Sequence, residues 1–154
     1  MPDDAYSSAL RMLATRELSE AQVRERLARR GHDAADIEAA IVRLKTDKSI
    51  DDTRVAEAIA RSETSLRKRG QLRVQRRIEA AGIAASIAER AVHDTFADID
   101  PEVLMAAALD KRLRGRQHVA DDREFQRLYR YLSNQGFEPD RILKLLRGRR
   151  RSAS

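Results

Sequence analysis

The chain has 154 residues, enough for one domain or for a short array of small repeats. It contains no cysteine, few glycines (6) and prolines (3), and a formal net charge of +6. The abundance of leucine, alanine, arginine and glutamate predicts an all-α protein, and the missing cysteines exclude a disulfide scaffold or a thiolate metal site. The lack of a long apolar run and the acidic start predict no membrane span and no signal peptide, so we expect a cytoplasmic protein.

Apolar residues recur at helical spacing along the whole chain. The amphipathic stretches are separated by short segments that contain glycine, aspartate or serine. In chain order, the predicted helices cover residues 10–18, 23–31, 37–44, 55–66, 74–82, 87–92, 104–113, 128–136 and 142–146.

One pattern occurs three times: two aliphatic residues four positions apart, followed four positions later by glycine. The copies are "VRERLARRG", "VQRRIEAAG" and "LYRYLSNQG", and they end at Gly31, Gly82 and Gly136. The glycines are 51 and 54 positions apart. The spacing of four places each aliphatic pair on one helical face, and glycine suits the left-handed residue that ends a helix.

Start signals precede several of these helices. Ser19 with Gln22 and Asp121 with Glu124 match the capping box, and Asp33 is a candidate N-cap for the third helix. The sequence therefore predicts three tandem three-helix repeats, at residues 1–50, 51–99 and 100–154, stacked into an elongated array. A single nine-helix globule without repeat symmetry is the alternative.

The stretch "RKRGQLRVQRR", residues 67–77, has six basic side chains and no acid. Within it, Arg73, Arg76 and Arg77 form a stripe that we expect to point away from the core, since the apolar pair of the same helix lies on another face. In register with the first two of them, the third copy has Arg127 and Arg130, whereas the first copy has a glutamine and a glutamate. Repetition between neighbouring copies favours a binding surface, and a merely solvated helix face is the alternative.

The positive charge is concentrated at the C-terminal end. Residues 101–154 contain thirteen basic and seven acidic side chains, and the tail "RGRRRSAS" supplies four arginines. Such a tail attracts anionic partners through salt-sensitive forces, although a frayed and solvated terminus has the same composition. The residues that we predict to bind a partner or DNA are Arg69, Arg73, Arg76, Arg77, Arg127, Arg130, Arg147, Arg149 and Arg150.

No catalytic or metal-binding constellation is found in the sequence. The histidines lie in unrelated contexts, and "SLRK", residues 65–68, matches a serine-hydrolase motif without its companion motifs. The adjacent Asp51 and Asp52 have no further ligand at metal spacing and suit capping of the following helix. We therefore predict no enzymatic activity, no metal and no cofactor.

Three segments resemble the RecX family, regulators of the bacterial RecA recombinase. "IDDTRVAEAIAR" followed by "GQLRVQRRIEAAGI" is similar to the central signature of the family. "LSEAQVRERLARRGHDAADIEAAIVRLK" resembles its first repeat and "REFQRLYRYLSNQGFEPDRILKLL" its last. The resemblance covers nearly the whole chain.

The resemblance implies a curved array of three three-helix repeats that binds RecA filaments on single-stranded DNA. It implies limitation of filament growth, ATP hydrolysis, strand exchange and co-protease activity, with direct DNA contact as a further option. We expect the protein to be a monomer. A helix-turn-helix-like DNA-binding protein or transcriptional regulator is an alternative. It is disfavoured because the third helices "DAADIEAAIV" and "AASIAERAV" are rich in alanine and poor in side chains that read bases. A purely structural adaptor is a third reading of the same residues.

Overall fold

The protein, represented by a computed structural model that describes residues 4–150, is built from α-helices. The only bridge between extended segments within that range joins Val119 and Arg150, and no strand is formed there. The predicted all-α class is therefore confirmed. The helices are α1 (Ala5–Thr15), α2 (Glu20–Arg29), α3 (Ala34–Thr46), α4 (Asp52–Ser65), α5 (Gln71–Ala80), α6 (Ala85–Phe96), α7 (Pro101–Leu113), α8 (Asp122–Gln135) and α9 (Pro139–Gly148).

The start of α2 is fixed by side chains that satisfy its free amide groups. The Ser19 hydroxyl accepts a hydrogen bond from the Gln22 amide at 3.1 Å, and the Gln22 side chain accepts one from the Ser19 amide at 3.0 Å. The predicted capping box is confirmed. The predicted extension of the preceding helix to Leu18 is wrong, because α1 ends at Thr15. Leu18 is buried one position before the N-cap and belongs to the same apolar cluster as Val23, the arrangement of a hydrophobic staple.

Two other predicted start signals have different outcomes. Asp33 caps α3 by accepting a hydrogen bond from the Asp36 amide at 2.9 Å, as predicted. Asp121 caps α8 through the Glu124 amide at 2.8 Å, but the reciprocal half of the predicted capping box is wrong. The Glu124 carboxylate instead accepts from the Ala120 amide at 3.0 Å, because it also binds Arg116, which precedes the helix.

Glycine ends the middle helix of each group of three. Gly31, Gly82 and Gly136 follow α2, α5 and α8 with φ values of 90°, 81° and 100°. These positive values lie in a region that side chains disfavour, so glycine at these three positions allows the chain to leave the helix. The prediction from the repeated pattern is confirmed.

The buried apolar side chains form two clusters. One is made by α1, α2 and α3 together with Leu18 and Ile50, and the other runs through α4 to α9. The second and third groups of helices therefore share one core, whereas the first has its own. The division into repeats at residues 1–50, 51–99 and 100–154 stays a prediction. None of the helices within residues 4–150 is long and apolar enough to cross a lipid bilayer.

The C-terminal end of α8 meets the N-terminal end of α5, so these two middle helices lie end to end. The Gly70 amide donates to the Gln135 carbonyl at 2.8 Å, and the Leu72 amide donates to the Gly136 carbonyl at 3.2 Å. Free amides at the start of α5 thus satisfy free carbonyls at the end of α8. The approach is so close that a Cβ on Gly70 would lie 2.5 Å from the Gly136 carbonyl oxygen.

A second end-to-end contact joins the end of α5 to the start of α2, and the first residue of α4 also takes part in it. The Ser19 hydroxyl donates to the Ala81 carbonyl, and the Glu20 amide donates to the Asp52 carboxylate at 2.8 Å. The order α8, α5, α2 gives an extended stack of middle helices. In agreement, the accessible surface is 9954 Å², against about 7,900 Å² expected for a compact protein of this mass.

Candidate functional site

Two adjacent middle helices, α8 and α5, contact each other end to end, and each has arginines at equivalent positions. Arg127, Arg130 and Asn134 follow one face of α8, and Arg73 and Arg76 follow one face of α5, since residues three or four apart are neighbours on a helix. A side chain also links the two helices, because the Arg73 guanidinium Nη1 donates to the Asn134 carbonyl at 2.7 Å. We call Arg127, Arg130, Arg73 and Arg76 the arginine row.

Two members of the arginine row are free to bind a partner. Arg76 and Arg130 are exposed, and no carboxylate of residues 4–150 lies within ion-pair distance of either guanidinium. Each stands six positions before the glycine that ends its helix, so the two residues occupy equivalent places in the repeat. Unpaired guanidinium groups keep their full capacity for an external carboxylate or phosphate.

Two further predicted arginines have only distant intramolecular partners. Arg127 lies 3.9 Å from the Glu124 carboxylate, and its side chain is 70% exposed. Arg77 lies 3.8 Å from the Glu63 carboxylate, and its side chain is 55% exposed. Exposed pairs at such distances are weak, so both groups remain accessible to a partner.

Arg73 does not point into solvent with the rest of its predicted stripe. It is half-buried at the contact between α5 and α8, and its Cβ and amide nitrogen lie against Gly136. Arg73 lies outside the apolar core but is less exposed than Arg76 and Arg77, because the end of α8 covers the first turn of α5. Its guanidinium therefore helps to hold the two helices together.

Arg69 also lies at this contact. Its side chain is 16% exposed, its Nε is 3.7 Å from the Glu63 carboxylate, and its Nη1 donates to the Gln135 side chain. The Arg69 Nε itself has no hydrogen-bond acceptor. Burial is the main cause that lowers the pKa of Arg69, and the neighbouring positive charge of Arg73 acts in the same direction. The structure thus gives Arg69 a role in joining α5 to α8.

The predicted tail arginines have mixed environments. Arg147 is exposed and has no acidic partner in the described part of the chain, whereas Arg149 pairs with Asp110 at 2.8 Å. Arg150 pairs with Asp122 and lies 5.1 Å from the ring of Phe125. The start of the tail is therefore packed against α7 and α8, and its last arginine lies outside the described residues.

The structure adds two arginines that the sequence analysis missed. Arg112 at the end of α7 and Arg116 in the following loop line a cavity with Glu124, Arg127 and Leu128. Arg116 grips Glu124 through two hydrogen bonds of 2.9 and 2.8 Å, which lower the pKa of that carboxyl. The arginine-rich sequence around "DKRLRGRQ" was the signal that could have indicated these two residues. Helical periodicity, however, describes one helix at a time and does not reveal a site that lies between two helices.

The first group of helices has no equivalent of the arginine row. Gln22, which stands where Arg73 and Arg127 stand in the later copies, is used in the capping box of α2. Glu25, in the place of Arg76 and Arg130, pairs with Arg29. The arginine row is therefore confined to the two groups of helices that share a core.

The adjacent Asp51 and Asp52 lie at the start of α4, as its N-cap and its first residue. No three histidine, aspartate or glutamate side chains converge on a possible metal position anywhere in residues 4–150. Asp51 caps α4 by accepting from the Arg54 amide at 3.2 Å, and Asp52 accepts from the Glu20 amide. The paired aspartates thus have the capping role that was predicted, with Asp52 acting on the neighbouring helix α2.

Comparisons with known proteins give one consistent result. A family model described as RecX, first three-helix domain, matches residues 5–44. The regulatory protein RecX of Syntrophotalea carbinolica is 33% identical over 135 residues, which are 87% of this chain and 88% of that protein. The protein of the same name from Halorhodospira halophila is 31% identical, with coverage of 88% and 81%. The crystal structure of RecX from Lactobacillus salivarius matches with a TM-score of 0.76 at 20% identity, over 94% of this chain and 93% of that one.

Proposed function

Because the chain belongs to the RecX family of regulatory proteins, we propose that it is a negative modulator of the RecA recombinase. It binds RecA filaments on DNA as a cytoplasmic monomer and limits filament growth, ATP hydrolysis, strand exchange and co-protease activity. It acts by binding and catalyses no reaction of its own. RecA is the partner that the family resemblance implies, and the geometry of the arginine row supports a binding role.

The observation that carries this proposal is the pair Arg76 and Arg130. Both are exposed, both lack an acidic partner among residues 4–150, and they lie on helices that contact each other end to end. A filament repeats the same subunit, so a partner that presents equivalent cations on consecutive repeats matches a surface that itself repeats. Acidic side chains of protein subunits and DNA phosphates are both suitable anions for such a row.

The shared core of the second and third groups of helices gives this surface a fixed shape. Helices α4 to α9 pack through one apolar cluster, and Gly70 and Gly136 approach each other through their backbones. A rigid binding surface loses little conformational entropy when it binds. If it fits one arrangement of neighbouring filament subunits better than the others, binding shifts the filament toward that arrangement. Stabilising an arrangement that does not add subunits is how a binding protein limits growth.

Co-sedimentation tests the proposal directly. The purified protein is mixed with preassembled RecA filaments on single-stranded DNA, and in parallel with the same DNA alone, at equal salt. We expect the protein to sediment with filaments more tightly than with DNA, and to reduce the DNA-dependent ATPase of RecA without a metal requirement of its own. Equal binding to naked DNA with no effect on RecA would instead favour a direct DNA-binding protein, and ATP hydrolysis by this protein alone would contradict the regulatory role.

A further inference from the structure

A second cationic feature lies beside the arginine row, in a cavity between α7 and α8. Its volume is about 190 Å³, and its lining consists of Arg112, Arg116, Glu124, Arg127 and Leu128. Three guanidinium groups thus face one carboxylate. The cavity lining therefore carries an excess of two positive charges, and Leu128 adds an apolar part to it.

Glu124, the one acidic residue in the lining, already forms an ion pair with Arg116. Glu124 is held by both terminal nitrogens of Arg116 and also accepts from the Ala120 amide. Its side chain is 12% exposed, so it is fixed at the wall of the cavity. Arg127 reaches it only at 3.9 Å, and Arg112 has no carboxylate within ion-pair distance in the described chain. The charges of Arg112 and Arg127 are therefore not neutralised by the protein.

Arg112 is held in place without being neutralised. Its guanidinium lies 4.7 Å from the centre of the Tyr131 ring, a contact that orients the planar group but leaves its N–H donors free. A guanidinium held in this way is suited to bind a phosphate through two parallel hydrogen bonds. The cavity is thus a preformed anion site, since Tyr131 positions one cation and Glu124 positions another.

The arginines around the cavity are spaced along α8, an arrangement that suits a ligand with several consecutive anionic groups better than a single anion. Arg123, Arg127 and Arg130 follow one face of α8, so their Cα atoms are separated by about 6 and 4.5 Å along the helix axis. Arg123 and Arg130 are exposed and have no acidic partner among residues 4–150. A nucleic-acid strand presents phosphates at similarly short, regular intervals, whereas an acidic peptide needs acids at one particular spacing.

We propose that the cavity formed by Arg112, Arg116 and Arg127 is a phosphate-binding site for a nucleic-acid backbone. Contact is independent of base sequence, because the face of Tyr131 is covered by Arg112 and no free aromatic surface in the cavity offers a base a place to stack. The proposal rests on the proposed function only for the statement that the DNA is part of a filament. The binding of phosphate follows from the residues of the cavity alone, so it can be tested without RecA.

The test is a titration of the purified protein with a fluorescent single-stranded oligonucleotide of about 30 nucleotides at several salt concentrations. The variant Arg112→Gln/Arg127→Gln removes the two unneutralised cations and leaves the Arg116–Glu124 pair intact. The control is Arg16→Gln/Arg61→Gln. It removes two exposed arginines that have no acidic partner among residues 4–150 and that are far in sequence from the residues of the cavity. Melting curves of both variants show whether the fold is kept.

We expect the cavity variant to lose about tenfold or more in affinity, and the slope of log affinity against log salt to fall by about 1.4, at about 0.7 per lost phosphate contact. The control should change the slope little, and millimolar ATP or inorganic phosphate should compete weakly with the oligonucleotide. Equal losses in the two variants, no DNA binding by the wild type, or tight competition by free ATP would each overturn the proposal. Filament co-sedimentation of the single variant Arg112→Gln, which leaves the arginine row intact, separates this result from the RecA-directed function. Loss of naked-DNA binding by this variant with filament binding kept leaves that function standing.

Discussion

Alanine substitution of four glycines separates the cost of a left-handed backbone from the cost of a contact between helices. Gly31, Gly82, Gly115 and Gly136 all have φ between 81° and 100°. A Cβ on Gly31 or Gly115 would meet no atom within 4 Å. These two substitutions therefore carry only the conformational cost of about 1–2 kcal/mol.

Gly82 and Gly136 carry a second cost, because each lies against the first turn of another middle helix. A Cβ on Gly136 would lie 2.4 Å from the Arg73 amide nitrogen and 2.3 Å from the Arg73 Cβ, and a Cβ on Gly82 would lie 2.5 Å from the Ala21 Cβ. Backbone atoms yield less readily than the end of a flexible side chain, and forced overpacking costs about 1–3 kcal/mol. The total for Gly136→Ala is about 2–5 kcal/mol.

Thermal and urea unfolding of the four single variants measure these differences. Gly31→Ala and Gly115→Ala should lower Tm by about 2–8 °C, at about 2–4 °C per kcal/mol for a chain of this size. Gly136→Ala should lower it by about 4–20 °C on the same scale, with Gly82→Ala also above the two open sites. If Gly136→Ala costs no more than Gly31→Ala, the end-to-end packing of the middle helices is refuted.

Two further predictions concern charged groups. Arg69→Ala should cost about 1–3 kcal/mol in urea unfolding, because it leaves the buried Gln135 side-chain oxygen without its donor and Glu63 with only the distant Arg77 as a cationic partner. Unchanged stability would contradict the joining role of Arg69. Arg116 holds the pKa of Glu124 below its usual range, so this pair stabilises the fold above that range and its contribution is lost as the pH falls through the lowered pKa. Glu124→Gln should therefore be less stable than the wild type at pH 7, and the difference should shrink as the pH falls below the usual range of a glutamate pKa. A difference independent of pH would rule out the ion pair as its cause.

Local signals in the sequence predicted the helices and their ends well. The Ser19–Gln22 box and the left-handed Gly31, Gly82 and Gly136 depend on residues within one turn of each other, so the pattern alone was sufficient. Leu18 was misplaced because a buried residue at helical spacing has the same pattern whether it ends one helix or precedes the next. Both readings bury the side chain, and only the N-cap at Ser19 separates them.

The candidate site was less predictable because it depends on contacts between distant parts of the chain. The half-buried position of Arg73 follows from the Asn134 carbonyl, 61 positions away in sequence. Arg112 enters a site only when α7 packs beside α8 and Tyr131 supports its guanidinium. Repetition of the arginines in register indicated which face to consider, but the exposed pair Arg76 and Arg130 could be separated from the packed Arg69 and Arg73 only in three dimensions.

The most direct test of the account is a titration of RecA–single-stranded DNA filaments with the variant Arg76→Glu/Arg130→Glu, beside Arg16→Glu/Arg61→Glu as a control of equal charge change. Both pairs are exposed and lack acidic partners among residues 4–150, so each variant should stay within about 1 kcal/mol of wild-type stability. We predict that reversal of Arg76 and Arg130 weakens filament binding about tenfold or more, that the control keeps nearly full binding, and that wild-type binding weakens from low to moderate salt. Equal losses in the two variants, or undiminished binding by Arg76→Glu/Arg130→Glu, would contradict the assignment of the arginine row as the filament-binding surface.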